Sequence, residues 1–125
     1  MTNKNSQPLT FGRVAPMLPV SDIERAVGFY CQTLGFQKRF ENGNPVGFVI
    51  LVRDDAELHL TLQPEHPSAK FNVAHMMVSD ADEVYRLCQQ AGCRIIKKLR
   101  THDFGMRMFV FEDPDGNRID VGAEV

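Results

Sequence analysis

Apolar residues recur with the spacing of an α-helix in two places along the chain, at positions i, i+3, i+4 and i+7. This spacing lines one face of a helix, so each segment is predicted to be an amphipathic helix packed on a core. A serine and an aspartate precede each stripe and suit a helix start. A glycine closes each segment and suits a helix end. The stripes are Ile23, Ala26, Val27 and Tyr30 in the first segment, and Val84, Leu87, Cys88 and Ala91 in the second.

The two helical segments belong to a longer internal repeat. The segment VSDIERAVGFYCQTLG at 20–35 is similar to VSDADEVYRLCQQAG at 78–92, which is one residue shorter. The segments 48–60 and 109–121 also align, without a gap. Each half is therefore predicted to contain a strand, a helix and then a run of strands closed by a hairpin. The second alignment places Phe48 on Phe109, Leu58 on Ile119 and His59 on Asp120.

The repeat predicts a single domain at 11–125, built from two modules at about 11–64 and 71–125. The connecting segment QPEHPSAK at 63–70 contains two prolines, which is typical of a linker. Residues 1–10 are mostly polar and are expected to be flexible. Because one module buries too little surface to be stable alone, we expect the two to pack into a larger curved sheet with the helices outside. The concave face of that sheet would suit a small molecule.

The composition excludes several classes of function. The chain has 125 residues and a formal net charge of −2, which gives no electrostatic basis for binding nucleic acid or an anionic membrane. No apolar run approaches the roughly 20 residues that span a bilayer, and the N-terminus lacks the apolar core of a signal peptide. The cysteines, Cys31, Cys88 and Cys93, form no CxxC pair, so a disulfide framework or structural zinc is not expected. These features predict a cytoplasmic protein with reduced cysteines.

Three segments together resemble the vicinal oxygen chelate superfamily, which includes glyoxalase I, extradiol dioxygenases, fosfomycin-resistance enzymes and bleomycin-resistance proteins. They are LPVSDIERAVGFYCQTLGF, VSDADEVYRLCQQAG and the hairpin FVFEDPDGNRIDV. The resemblance implies an α+β fold of two βαβββ modules, with curved mixed sheets around a concave cavity and helices outside. It also implies a homodimer, often built by pairing modules from different chains.

The resemblance also implies where a metal would bind. Metal-dependent members hold a divalent cation with one ligand on the first strand of each module and one on a later strand. In this chain the first-strand positions are predicted to be Ala15 and Val73, which cannot bind a metal. The later-strand positions are His59 and Asp120, which can. Two protein ligands are fewer than the three of a typical catalytic zinc site.

Two alternatives stay open for these residues. His75 lies two residues beyond Val73 and so on the same face of a strand, and His59, His75 and Asp120 would form a 2-His-1-carboxylate metal set. Otherwise His59 and Asp120 lie on solvent-facing strand surfaces and His75 is an ordinary strand histidine. Arg118 is predicted to share a face with Asp120 and to keep that carboxylate ionised.

The segment HDFGMRMF at 102–109 brings adaptable apolar side chains towards the final hairpin. Phe104 and Met106 suit a loosely shaped pocket, although packing in the core is an alternative. Arg107 suits contact with an anionic ligand, and its alternative is a solvated strand edge.

The sequence favours a metal-free small-molecule-binding protein, similar to bleomycin-resistance proteins, that sequesters a drug-like ligand in the cavity of a homodimer without a cofactor. The alternative is an enzyme of the glyoxalase, isomerase or dioxygenase type that uses one divalent metal ion. The chain has no Trp, so stacking on a planar ligand falls to Phe and Tyr. The predicted ligand-binding residues are His59, His75, Phe104, Met106, Arg107 and Asp120, of which His59, His75 and Asp120 are the alternative metal ligands.

Overall fold

A computed structural model describes residues 7–67 and 70–125. Part of the segment predicted to be flexible, 1–6, and part of the predicted linker, 68–69, lie outside the described residues. Between residue 7 and the first strand there is no helix or strand. The first module comprises β1 (Met17–Val20), α1 (Ile23–Leu34), β2 (Gln37–Gly43), β3 (Val46–Arg53) and β4 (Ala56–Leu62). The second module comprises β5 (Asn72–Met77), α2 (Ala81–Gln90), β6 (Arg94–Thr101), β7 (Met106–Glu112) and β8 (Arg118–Glu124).

Each module forms its own four-stranded mixed sheet. Sheet A has the order β1-β4-β3-β2 and sheet B has the order β5-β8-β7-β6. The first strand of each module runs parallel to its neighbour, and the remaining pairs are antiparallel. A helix connection allows this parallel pairing, since parallel strands need a long crossover. The predicted α+β fold of two βαβββ modules is confirmed, but the modules form two separate sheets and not one continuous sheet.

Both helices begin as the sequence predicts, and α1 ends at its predicted glycine, whereas the C-cap of α2 is Ala91, one residue before Gly92. Asp22 accepts a hydrogen bond from the backbone N–H of Arg25 at 3.1 Å, and Asp80 does the same for Glu83 at 3.1 Å. Each aspartate thereby satisfies one of the donors left free at a helix start. Gly35 ends α1 with a φ of 70°, a left-handed conformation that favours glycine. Neither helix in the described part of the chain is long and apolar enough to cross a membrane.

One hydrophobic core joins the two modules. The fully buried Leu18, Tyr30 and Leu60 of the first module pack in the same cluster as Phe111 and Ile119 of the second. Each helix packs on one face of its own sheet, and the helices also contact each other. The helix-bearing sides of the modules therefore meet in this shared core. The opposite faces of the two sheets point away from it.

A buried polar cluster also holds the modules together. The Tyr30 hydroxyl donates to Asp113 Oδ2 at 2.7 Å, and burial is the main cause that raises the pKa of Tyr30 well above its usual value. Asn117 donates to Asp113 Oδ2 at 3.0 Å and to the Pro19 carbonyl at 2.9 Å. Desolvation raises the pKa of the Asp113 carboxyl, and these hydrogen bonds oppose that shift. The motif DPDGN is thus part of the link between the modules as well as a turn.

The gapless alignment of the two halves is wrong by one residue in β3 and β7. Arg53 pairs with Ala56 across a two-residue turn, whereas Glu112 pairs with Arg118 across a longer loop. A slip of one residue reverses the face of a strand. Phe48 consequently corresponds to Met108 and not to Phe109, which is buried in the core.

Candidate ligand-binding faces

The strand alternation places a set of side chains on the face of sheet A that points away from the helices. We call this surface open face A. His59 lies on it because its neighbours Leu58 and Leu60 are buried in the core. Met17 and Phe40 are 60% and 50% exposed there, which is unusual for large apolar side chains in a folded strand. Open face A comprises Met17, Phe40, Phe48, Ile50, Glu57 and His59.

His59 is held between an aromatic ring and a carboxylate. The ring of Phe48 meets the imidazole edge-on with a centroid distance of 5.4 Å, and Phe40 lies 6.3 Å from Phe48. His59 Nε2 lies 2.7 Å from Glu57 Oε2. This hydrogen bond is the main cause that lowers the pKa of the Glu57 carboxyl, and Arg13 lowers it further from 3.0 Å away. The face therefore combines an aromatic platform with a fixed anionic group.

The corresponding surface of sheet B carries different side chains. We call it open face B, and it comprises His75, Met77, Met106, Met108, Arg118 and Asp120. His75 Nδ1 lies 3.1 Å from Asp120 Oδ2, and His75 Nε2 lies 3.1 Å from the Met77 sulfur. The Asp120 side chain is 18% exposed. Thioether side chains adapt their shape to a ligand, so this face joins a polar pair to a deformable apolar surface.

Gly122 makes room for the side chains of open face B. A Cβ atom at this position would lie 2.8 Å from Met106 Cε, 3.2 Å from Met108 Cγ and 3.3 Å from His75 Cε1. These separations are shorter than ordinary carbon contacts. The two thioethers and the imidazole therefore cover the glycine backbone directly, which brings them together on one patch.

The strand register corrects the predicted first-strand positions. β1 pairs Met17 with His59, and β5 pairs His75 with Asp120. The two pairs are equivalent in the repeat, as predicted for His59 and Asp120. Ala15 precedes β1, however, and Val73 packs against the core. The strand neighbours of His59 and Asp120 are thus Met17 and His75, and not the predicted Ala15 and Val73.

Two of the predicted ligand-binding residues, Arg107 and Phe104, do not lie on open face B, and one predicted ion pair is not formed. Arg107 points to the helix side of sheet B, where its guanidinium donates to Asp82 Oδ1 at 2.6 Å and lowers the pKa of that carboxyl. Phe104 lies in the exposed β6–β7 turn, 64% exposed. The prediction that Arg118 pairs with Asp120 is wrong, since its Nε donates to Glu112 Oε2 at 3.0 Å.

The alternative metal ligands do not converge within one chain. His59 belongs to sheet A, whereas His75 and Asp120 belong to sheet B. Within residues 7–67 and 70–125, no three His, Cys, Asp or Glu side chains form a group that could hold a metal ion. The nitrogen atoms of His75 and the Nε2 atom of His59 contact neighbours on their own faces. In this arrangement the polar groups satisfy each other.

Of the six residues of open face A, sequence reasoning identified only His59. Glu57 was visible as a residue that alternates with Leu58 on the same face as His59. The gapless alignment matched Phe48 with Phe109, which the structure buries in the core. Met17 and Phe40 carried no signal beyond an apolar residue within a strand. Their exposure became evident only once the strand pairing was known.

Two βαβββ modules with polar and apolar side chains on the open sheet faces define a protein with the vicinal oxygen chelate fold. The chain belongs to the Glyoxalase/Bleomycin resistance protein/Dioxygenase superfamily, whose family model matches residues 10–121. A superfamily member from Sphaerobacter thermophilus DSM 20745 superposes with a TM-score of 0.78 at 29% identity, covering 93% of this chain and all of that protein (100%). The resemblance recognised in the sequence is confirmed.

Proteins that bind or resist antibiotics are among the similar structures. A bleomycin resistance determinant encoded on transposon Tn5 has a TM-score of 0.77 and 26% identity, over 91% of this chain and 98% of that chain. TnmS3, an antibiotic binding protein from Streptomyces sp. CB03234, has a TM-score of 0.75 and 25% identity, over 94% of this chain and 100% of that chain.

Curated relatives match over a shorter stretch. The chain is 40% identical over 45 residues to bleomycin resistance proteins from Geobacillus stearothermophilus and Staphylococcus aureus (strain MRSA252). The matched stretch covers 36% of this chain and 32% of each relative. The match thus spans about a third of the length of each curated relative.

Proposed function

We propose that the protein binds an amphipathic, drug-like organic molecule and sequesters it without a metal or a chemical step. The observation that carries the proposal is the pair of open faces, which present large apolar side chains beside fixed polar groups. Phe40 and Phe48 offer a stacking surface, and Met106 and Met108 offer an adaptable one. The similarity to bleomycin resistance proteins and to an antibiotic binding protein supports this class of ligand.

The proposed cavity needs two chains. Each open face points away from the core of its own chain, so a single chain leaves both faces uncovered. In a homodimer, open face A of one chain would lie against open face B of its partner, which forms two equivalent cavities. Exposed apolar side chains on both faces support this pairing, since large exposed apolar patches mark interaction surfaces.

We propose that this dimer is cytoplasmic. The chain's three cysteines, Cys31, Cys88 and Cys93, are free, and reduced thiols are typical of that compartment.

Calorimetric titration with metal-free bleomycin in the presence of EDTA tests the proposal. We expect saturable binding of one ligand per chain, with backbone NMR shifts concentrated on β3, β4, β5 and β8. The Phe48→Ala variant, which loses the central ring of open face A, is titrated in parallel and should bind more weakly. Ligand-induced shifts confined to the helices would contradict the proposed location.

The second candidate is a divalent-metal enzyme. The strand register supports it, because it pairs His75 with Asp120, which the sequence alone did not predict. His75 lies directly beside Asp120, so a facing chain that contributes His59 would complete a 2-His-1-carboxylate set. Such a set suits non-haem iron, and the ion would act as a Lewis acid on substrate oxygens. Met17 offers only a weak thioether ligand at the fourth position, which is why we rank this candidate second.

Equilibrium dialysis against Fe(II), Ni(II), Zn(II) and Mn(II) separates the two candidates. The binding-protein proposal predicts no stoichiometric retention by the purified dimer and the same bleomycin affinity with and without metal. The enzyme candidate predicts one ion per cavity, lost in the His75→Ala variant, with turnover of a catechol or a glutathione hemithioacetal.

A further inference from the structure

The internal repeat creates two junctions between the modules, and one of them is closed by a salt bridge. At this closed junction the β7–β8 loop meets the start of α1. Asp115 Oδ1 accepts hydrogen bonds from the backbone N–H and the hydroxyl of Ser21, both at 2.8 Å. The guanidinium of Arg25 donates to the same oxygen at 2.7 Å and to the Ser21 hydroxyl at 2.9 Å. A cation thus bridges the helix start and the loop carboxylate.

At the second junction, the start of α2 meets the β3–β4 turn. Here Ser79 corresponds to Ser21, and Glu83 corresponds to Arg25. The turn residues Asp54 and Asp55 take the place of the loop that carries Asp115. A carboxylate therefore stands where the closed junction has a guanidinium. In the described part of the chain, no hydrogen bond or ion pair joins this turn to α2.

An open cleft of about 400 Å³ occupies this second junction. Its apolar wall is formed by Phe36 from the first module and by Met76 and Leu87 from the second. Burying apolar ligand atoms against such a wall is favourable, because it removes apolar surface from water. The cleft lies at the α2 start and the β3–β4 turn, so it is distinct from the two open faces except where Met77 borders both.

The charged rim of the cleft is acidic. Four carboxylates and one guanidinium line it: Asp54, Asp55, Asp80, Glu83 and Arg53. The Arg53 guanidinium donates to the Leu34 carbonyl at 2.7 Å and lies 3.9 Å from Asp54. Glu83 is bonded to Arg86 at 2.6 Å, and Asp80 Oδ1 caps α2. Asp55 has no ion pair or hydrogen bond within residues 7–67 and 70–125.

We propose that this cleft binds an organic cation with an apolar tail, of the alkylguanidinium or alkylammonium class. The cationic group would take the position that Arg25 occupies in the closed junction, between the serine at the helix start and the carboxylates of the turn. The tail would lie on Phe36, Met76 and Leu87. The closed junction shows in the same molecule how a guanidinium satisfies this geometry. The proposal is independent of the ligand bound at the open faces.

Titration with hexylguanidinium, followed by calorimetry and by NMR shifts of α2 and the β3–β4 turn, tests this site. Hexylurea is the matched control ligand, since it has the same shape without the charge. We expect hexylguanidinium to bind at least about tenfold more tightly than hexylurea, because charge-assisted hydrogen bonds are the stronger class. Equal affinities, or no binding of either probe, would overturn the proposal.

Two variants place the binding at the cleft. Glu83→Arg supplies the chain's own guanidinium and should abolish hexylguanidinium binding, whereas Glu24→Arg makes the same charge change in the first turn of α1 and should leave it intact. Asp54→Asn together with Asp55→Asn should weaken binding about tenfold, and asparagine tolerates the φ of 50° at position 54. Loss of binding in Glu24→Arg but not in Glu83→Arg would refute the site. A Glu83→Arg variant that alters the sedimentation of the dimer would identify the occupant as a second copy of the chain and likewise overturn the small-cation proposal.

Discussion

Open face A and open face B occupy equivalent surfaces of two sheets with the same strand order, yet they differ in chemistry. On face A, Phe48 and Glu57 hold His59 in one orientation. On face B, flexible thioethers surround the His75–Asp120 pair. The repeat thus produces the same backbone arrangement twice, and different side chains give each open face a different chemistry. We infer that face A is a rigid aromatic wall and face B an adaptable one.

The largest expected effect distinguishes the aromatic side chains of open face A from the methionines of open face B. The Phe48→Ala change should weaken bleomycin binding by about 2 kcal/mol, since buried aromatic anchors dominate binding energies. The equivalent change on face B, Met108→Ala, should cost about 1 kcal/mol or less, because a neighbouring methionine can fill the space. Calorimetric titration of both variants measures the difference. An equal or larger loss in Met108→Ala would remove the distinction between the walls.

A second pair of variants compares the polar groups. Asp120→Ala should weaken ligand binding by about 1 kcal/mol, because the carboxylate no longer orients the His75 ring. The unfolding free energy should change by less than about 1 kcal/mol, since the His75–Asp120 pair is partly exposed. Binding and urea denaturation are measured on the same preparations. His59→Ala, at the equivalent position of face A, is the control. A large loss of stability in Asp120→Ala would show that this pair holds the fold instead.

The Gly122→Ala change tests how closely the side chains of face B are packed. The added methyl group would displace Met106, Met108 and His75, so we expect a destabilisation of about 1 kcal/mol and weaker ligand binding. Thr61→Ala, at the corresponding position of β4, should have a smaller effect on both quantities. Thermal denaturation and titration give the comparison. A neutral Gly122→Ala variant would mean that face B is less filled than the structure indicates.

The smallest effect concerns the pKa of Glu57. Because the pKa is lowered in the folded state, ionised Glu57 stabilises the fold above its unfolded pKa, and this contribution is lost as pH falls through the folded pKa. In His59→Phe the main cause of the shift is removed, so the pKa should rise towards the usual glutamate value. Carbon-detected NMR titration of the Glu57 carboxyl measures it. An unchanged pKa in His59→Phe would assign the shift to Arg13 instead.

Local signals in the sequence were sufficient for the helices and for the repeat, but not for the division into two separate sheets. The Ser-Asp caps and the terminal glycines predicted both helices, since capping depends on residues within one turn. The equivalence of His59 and Asp120 also followed from the repeat and agrees with the strand register. These features depend on neighbours along the chain and on side-chain periodicity, which a sequence displays directly.

The parts of the site that could not be predicted depend on pairing between strands. The extra residue in the β7–β8 loop shifts β7 by one position, which places Met108 and not Phe109 on the open face. Arg118 finds Glu112 across the hairpin only in that register. The direction of Arg107 was available from alternation, because a residue between Met106 and Met108 must point to the other face. Arg107 therefore lies beside α2.

Mixing two variants with weakened binding tests the central claim, a ligand cavity shared between chains, most directly. Phe48→Ala alters face A in every chain and Asp120→Ala alters face B, so neither homodimer has an unaltered cavity. After subunit exchange, a heterodimer would contain one cavity with both faces intact. We predict that the mixture regains full-affinity bleomycin binding in EDTA at about one cavity for every four chains. A mixture that binds no better than the separate variants would contradict the account.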